Sequence, residues 1–160
     1  MNYQLAQVNI AKFRLPAEHP VNADFVNNLD RVNAIAESQP GFVWRFKGTG
    51  NNALDVQPFA DSQIAINMSV WKDVRSLVNF VYRNDDHKAI MRRRKKWFDK
   101  IETYMVLWWI EESRNPTVEE AKFRLELLRH NGPTYSAFTF KRPFPPPSGG
   151  PVSPFLDECA

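Results

Sequence analysis

Residues 85–110, DDHKAIMRRRKKWFDKIETYMVLWWI, read as a helix that runs directly into a strand. Counting by threes and fours from His87 gives Ile90, Met91, Arg94, Trp97, Phe98 and Ile101, a helical face that is apolar except for a histidine and an arginine. Asp85 or Asp86 can cap its start. The opposite face carries Lys88, Arg92, Arg93, Lys95 and Lys96. From residue 103 the pattern becomes an alternation: Thr103, Met105, Leu107 and Trp109 against Tyr104, Val106, Trp108 and Ile110. Both sets are largely apolar, as in a strand covered on both faces. The helices of a chain this long cover one face of a sheet, so the second face is expected to meet a second copy. The stretch therefore predicts a homodimer and sets a His/Arg pair beside a central sheet.

The flanking sequence supplies the other elements. Residues 3–11 read as a strand, with Ala6, Val8 and Ile10 on one face and Leu5, Gln7 and Asn9 on the other. Residues 22–39 form a helix with Phe25, Leu29, Val32 and Ala36 at helical spacing, capped by Asn22 or Asp24 and ended by Pro40-Gly41. In a strand at 42–46, alternation groups Phe42, Trp44 and Phe46 against Val43 and Arg45. The polar, Gly/Asn-rich residues 47–61 lead to a partner strand at 62–71 and are expected to fold over a site. Residues 73–83 are a helix with Val74, Leu77, Val78 and Val81 inward. Thr117-Val118-Glu119-Glu120 is a capping box that opens a further helix, which stops at Asn131-Gly132-Pro133. Residues 135–141 fit a fifth, edge strand. The order strand, helix, strand, strand, helix, strand predicts an α+β fold: a ferredoxin-like split βαβ unit with an antiparallel sheet. Residues 143–160, PFPPPSGGPVSPFLDECA, are too rich in Pro, Gly and Ser to hold a core, and read as an extended or disordered tail after a domain at 1–142.

At 160 residues the chain is long enough for one domain with a real core. Its net charge of +3 is local, because residues 87–100 hold seven Lys/Arg and one acid, a sum of +6 that leaves −3 for the rest. That patch reads as a solvated helix face; no nucleic-acid motif accompanies it, so no nucleic acid is expected as partner. Cys159 is the sole cysteine, which excludes an internal disulfide and a cysteine metal site within one chain. The N-terminus, MNYQLAQVNIAKF, lacks the basic start and long apolar run of a signal peptide, and no run suffices for a membrane span, so the expectation is a cytoplasmic protein without a membrane partner.

The runs FVWRF (42–46), FVYRNDDH (80–87), MRRRKKWF (91–98), YMVLWWI (104–110) and GPTYSAFTF (132–140) resemble a bacterial domain-of-unknown-function family of the dimeric α+β barrel superfamily, beside the antibiotic-biosynthesis monooxygenases. The resemblance spans roughly residues 3–147. It implies a homodimer whose sheets face each other, with a ligand pocket between each sheet and its own helices. Relatives in that superfamily include cofactor-free oxygenases of polyphenolic rings, isomerases and haem-binding branches. No motif here matches the active site of any one of them, and fold analogy alone is a weak warrant for function.

Among candidate site residues, His87 is the most informative: as neutral imidazole it suits a general base or a haem ligand, against the plain alternative of a helix-start histidine satisfied by its neighbours. Arg94 and Arg45 stand on otherwise apolar faces, where they can anchor a carboxylate, phenolate or propionate, or form structural ion pairs with an acid such as Glu37, Asp30 or Glu102. Gln7, Asn9 and Asn67 line the same cavity as Arg45 if their strands are neighbours. Trp44, Trp97 and Trp108 suit a flat substrate, although tryptophans at such spacings more often build core. No metal site is expected, since no His/Asp/Glu pair has ligand spacing on one helix. The leading expectation is a cofactor-free monooxygenase acting on an aromatic or polyketide-like small molecule, with His87 and Arg94 catalytic and Arg45, Asn9, Asn67, Trp44, Trp97 and Trp108 binding substrate. Its alternatives are a haem protein with His87 as axial ligand and a non-enzymatic dimeric binding module that uses the 92–96 patch.

Overall fold

The computed structural model describes residues 2–149. It is an α+β protein built on one five-stranded antiparallel sheet. The central strand β1 (Tyr3–Phe13) pairs along one side with β3 (Ile64–Trp71), which pairs in turn with β2 (Phe42–Arg45). The other side of β1 is shared by β4 (Phe98–Asp99), opposite Lys12 and Phe13, and β5 (Met105–Glu111), opposite residues 3–9. The helices are α1 (Ala23–Glu37), α2 (Val74–Val78), α3 (Asp85–Arg93) and α4 (Val118–Asn131).

Register divides the side chains between two faces. Ala6 lies between Val70 and Trp108, with Trp44 beyond Val70; Val8 lies between Met68 and Val106. These rows form one core with Ala121, Leu125 and Leu128 of α4. The opposite rows, Arg45–Ser69–Gln7–Leu107 and Asn67–Asn9–Met105, face α1, α2 and α3. Trp44 was grouped with Phe42 by simple alternation, but a bulge between them shifts the register. Phe42 stands opposite Trp71 and packs against it edge-on, while Trp44 turns to the α4 face.

The expectation that the second face needs another copy of the chain is corrected by α4. Ala6, Val8, Val70, Val106 and Trp108 are all fully buried within the single chain. Trp108 donates its indole N–H to Glu120 Oε1 at 3.1 Å, and Arg114 and Arg124 bind the same carboxylate, which fastens α4 over that face. Half of the capping box is formed: Thr117 Oγ1 accepts from the Glu120 N–H at 3.1 Å, while the Glu120 carboxylate turns to Trp108, Arg114 and Arg124 instead of back to Thr117; Gly132, at φ 67°, follows the last helical residue.

Other elements depart from simple periodicity. Asn84, not Asp85 or Asp86, caps α3 by accepting the His87 N–H at 3.0 Å. Asn22 precedes α1 without capping it, because its side chain turns inward to donate to the Pro16 carbonyl. The helix expected over 73–83 is α2 followed by one π-helical turn, Asn79–Arg83. The helix through 87–101 ends at Arg93; a 3-10 turn, Arg94–Lys96, then lets the chain reach β1 as β4. The expected edge strand at 135–141 is a single bridge, Phe138 to Leu107, between two tight turns. The proposed domain limit falls at 142, yet Phe144 packs on Tyr135 and Phe138 and its carbonyl accepts the Trp109 indole N–H at 2.9 Å. Residues 150–160 of the expected tail lie outside the described residues. No helix among the described residues is long and apolar enough to cross a membrane.

Candidate functional site

A cavity of about 540 Å³ lies between the sheet and its helices. Its floor is the polar patch of Gln7, Asn9, Asn67 and Ser69. Phe25, Leu29 and Val32 of α1 and His87, Ile90 and Met91 of α3 form the opposite wall. Asn52, Ala53 and Leu54 close one end, so the loop after β2 does fold over the site as its composition suggested. Apolar walls with a few convergent polar groups are the usual make-up of a small-molecule site.

His87 is held at both main chain and ring. The Asn84 side chain fixes its main chain, and its Nδ1 lies 2.9 Å from the Val81 carbonyl oxygen. A carbonyl only accepts, so Nδ1 carries the proton and Nε2 keeps a lone pair. Val81 belongs to the π-helical turn, and turns of this kind are frequent at functional positions. Phe80 packs on the imidazole with ring centroids 4.7 Å apart. Burial lowers the His87 pKa below the ordinary histidine value, and the Val81 bond only partly opposes this. The ring is therefore neutral at pH 7, and Nε2 has no protein partner among the described residues.

Arg94 follows seven residues later and also lines the cavity. Its guanidinium lies 5.3 Å from the Tyr104 ring centroid and forms no ion pair among the described residues. Arg45 is different. It is 8 % exposed, and Nε donates to Glu37 Oε1 at 2.7 Å while its terminal nitrogens donate to the carbonyl and side chain of Asn51. Asn51 in turn donates to Asp30. Arg45 thus ties the loop after β2 to α1, and the acids read from sequence as its partners, Glu37 and Asp30, sit in that network.

The floor is hydrogen-bonded in one direction. The Trp71 indole N–H donates to Ser69 Oγ at 2.8 Å. Gln7 Nε2 donates to the same hydroxyl at 2.8 Å and to Asn67 Oδ1 at 3.0 Å. Asn9 lies directly opposite Asn67 in the β1–β3 register, and its amide has no hydrogen-bond partner among the described residues.

Of the residues chosen from sequence, His87, Arg94, Arg45, Asn9, Asn67 and Trp97 line this one cavity, and Trp97 packs against Phe25 with ring centroids 5.4 Å apart and planes tilted by 45°. Trp44 and Trp108 do not: both belong to the α4 face, on the far side of the sheet. The plain reading of those two tryptophans as core is the one the packing carries. Tyr104 and Ser69 were missed. Tyr104 was assigned to the strand alternation, but β5 begins at Met105, and the residue just before it is free to meet Arg94. Ser69 is uninformative until register sets it beside Gln7 and Trp71.

Residues 4–152 match the family described as a domain of unknown function (DUF3291), and the chain belongs to that family. Neither the curated proteins nor the solved structures give a match.

Proposed function

We propose that the cavity binds a flat, largely apolar phenol or enol, and that the protein is a small-molecule enzyme of the cofactor-free oxygenase type. One observation carries this reading: a neutral imidazole and an arginine with no carboxylate partner among the described residues line the same cavity. They stand two helical turns apart, about 10 Å along the axis, the width of a small fused-ring system. His87 Nε2 accepts the acidic proton, and Arg94 stabilises the anion left behind. The electron-rich anion then adds dioxygen at a carbon that bears hydrogen, giving a hydroperoxide; cleavage of its O–O bond with loss of that hydrogen leaves a carbonyl and releases water, so the substrate supplies all four electrons that dioxygen accepts. The strand order β2-β3-β1-β5 supports a ferredoxin-like arrangement. The cavity is lined from within one chain, so a homodimer, measurable by light scattering, would leave these residues in place. The test is oxygen uptake with a panel of polyphenolic substrates. His87→Ala and Arg94→Ala are expected to abolish turnover while the protein stays folded; unchanged turnover in both would remove the assigned roles.

The Nδ1–H bond to a carbonyl supports a second reading, since axial histidines of haem are oriented in this way. His87 Nε2 would face the iron and Arg94 a propionate. An absorption spectrum of the protein with added haemin separates the two. A Soret band that His87→Ala abolishes favours haem, and a spectrum unchanged from free haemin removes it.

A further inference from the structure

We infer that the polar patch on the sheet is an acceptor-reading site, so that the ligand is a phenol or enol that also carries a carbonyl oxygen, received by Asn67 and Asn9. This rests on the reading of the cavity given above and narrows its ligand class.

The argument starts from Trp71, whose indole N–H can only donate. It fills one lone pair of Ser69 Oγ, and Gln7 Nε2 fills the other. The Gln7 amide spends its second proton on Asn67 Oδ1. These bonds occupy both lone pairs of Ser69 Oγ and one of the two on Asn67 Oδ1. The Asn67 Nδ2 group, a pure donor, has no hydrogen-bond partner among the described residues. Asn9 lies directly across the strand pair and adds a second open amide. Both side chains line the cavity, and Asn67 is exposed there although it lies on an inner strand. The patch therefore presents two amide donors, Asn67 Nδ2 and Asn9 Nδ2, beside the Gln7 Oε1 acceptor, and the two asparagines lie side by side where one carbonyl oxygen can reach both. The opposite wall offers His87 Nε2, an acceptor. A ligand that satisfies both walls gives up a proton on one side and accepts hydrogen bonds on the other. A hydroxy-aryl ketone or a hydroxyquinone has that chemistry; a plain hydrocarbon or a simple phenol does not.

The test compares 6-acetyl-2-naphthol with 2-naphthol, which share ring and hydroxyl and differ by the carbonyl, with binding followed by fluorescence. Native protein is expected to bind the acetyl compound about tenfold more tightly, the worth of one well-made buried hydrogen bond. Asn67→Asp keeps an oxygen for Gln7 and replaces the donor by an anionic acceptor, so the preference should fall to one or reverse. Asn67→Leu should also bring the ratio to one. Equal affinities in the native protein, or a preference that survives both substitutions, would overturn the inference while leaving the phenol-binding cavity intact. If neither probe binds, the cavity reading falls and this one with it.

Discussion

Lowering the pH through the histidine range should destabilise this protein through His87. Burial holds the folded-state pKa of that ring below its unfolded value of about 6.5, so the folded chain resists a proton that the unfolded chain accepts. Above the unfolded pKa both states are neutral and stability is flat with respect to this group. Below it the unfolded state binds more protons, so stability falls as pH falls, by up to about 1.4 kcal/mol per pH unit for one proton, until the folded pKa is reached. Burial against Phe80 drives the effect, and the Nδ1–H bond to the Val81 carbonyl, which favours the charged ring, partly offsets it. Urea unfolding of native protein and of His87→Gln at steps from pH 8 to pH 5 isolates the effect, because contributions of other groups cancel in the difference. Asp55, Asp61 and Asp85 all titrate below the ordinary carboxylate range and fall outside this window. The stability gap between the two proteins should be constant down to the unfolded histidine pKa and then shift in favour of the variant. Parallel pH profiles would refute the claim that His87 is held neutral.

Three further expectations concern the supports of the site. Glu120→Ala leaves the buried Trp108 indole N–H without a partner and frees Arg114 and Arg124; a loss of roughly 2–3 kcal/mol in urea unfolding is expected. Leu125→Ala removes a fully packed side chain between α4 and the sheet and should cost about 2–4 kcal/mol, whereas a face covered by some other partner would make the change nearly neutral in the isolated chain. Arg45→Ala should cost about 1–3 kcal/mol and release residues 47–61, seen as faster amide exchange and proteolysis confined to that loop.

Much of the fold was legible because alternation and helical spacing are local. The two faces of β1, the alternation in β5 and the Thr117 cap of α4 follow from residue order alone. The features that escaped depend on pairing. A bulge between Phe42 and Trp44 sends Trp44 to the α4 face, and no local pattern marks it. The period from His87 continues correctly through Arg94 and Trp97 to the cavity although the helix stops at Arg93, because the 3-10 turn keeps nearly the same sense of rotation. The second apolar face of the sheet was read as an interface because the sequence does not say where α4 docks. Leu125 and Leu128 are three residues apart on α4, but only the tertiary packing shows that they share a core with Trp108 and Val106. At the site, His87 and Arg94 stood out as polar residues on an apolar face. Tyr104 and Ser69 acquire a role only once β5 begins at Met105 and β1 takes its register on β3.

The most direct test of the central claim uses 4-nitrophenol, whose phenolate absorbs in the visible and whose neutral form does not. At a pH below the probe's own pKa, added protein should raise the phenolate band in a saturable way, because Arg94 stabilises the bound anion. Arg94→Met should remove most of that rise, and Leu29→Trp, which fills the cavity, should abolish binding. No rise in the native protein, or an equal rise in Arg94→Met, would contradict the account of this cavity as a site for an ionised phenol.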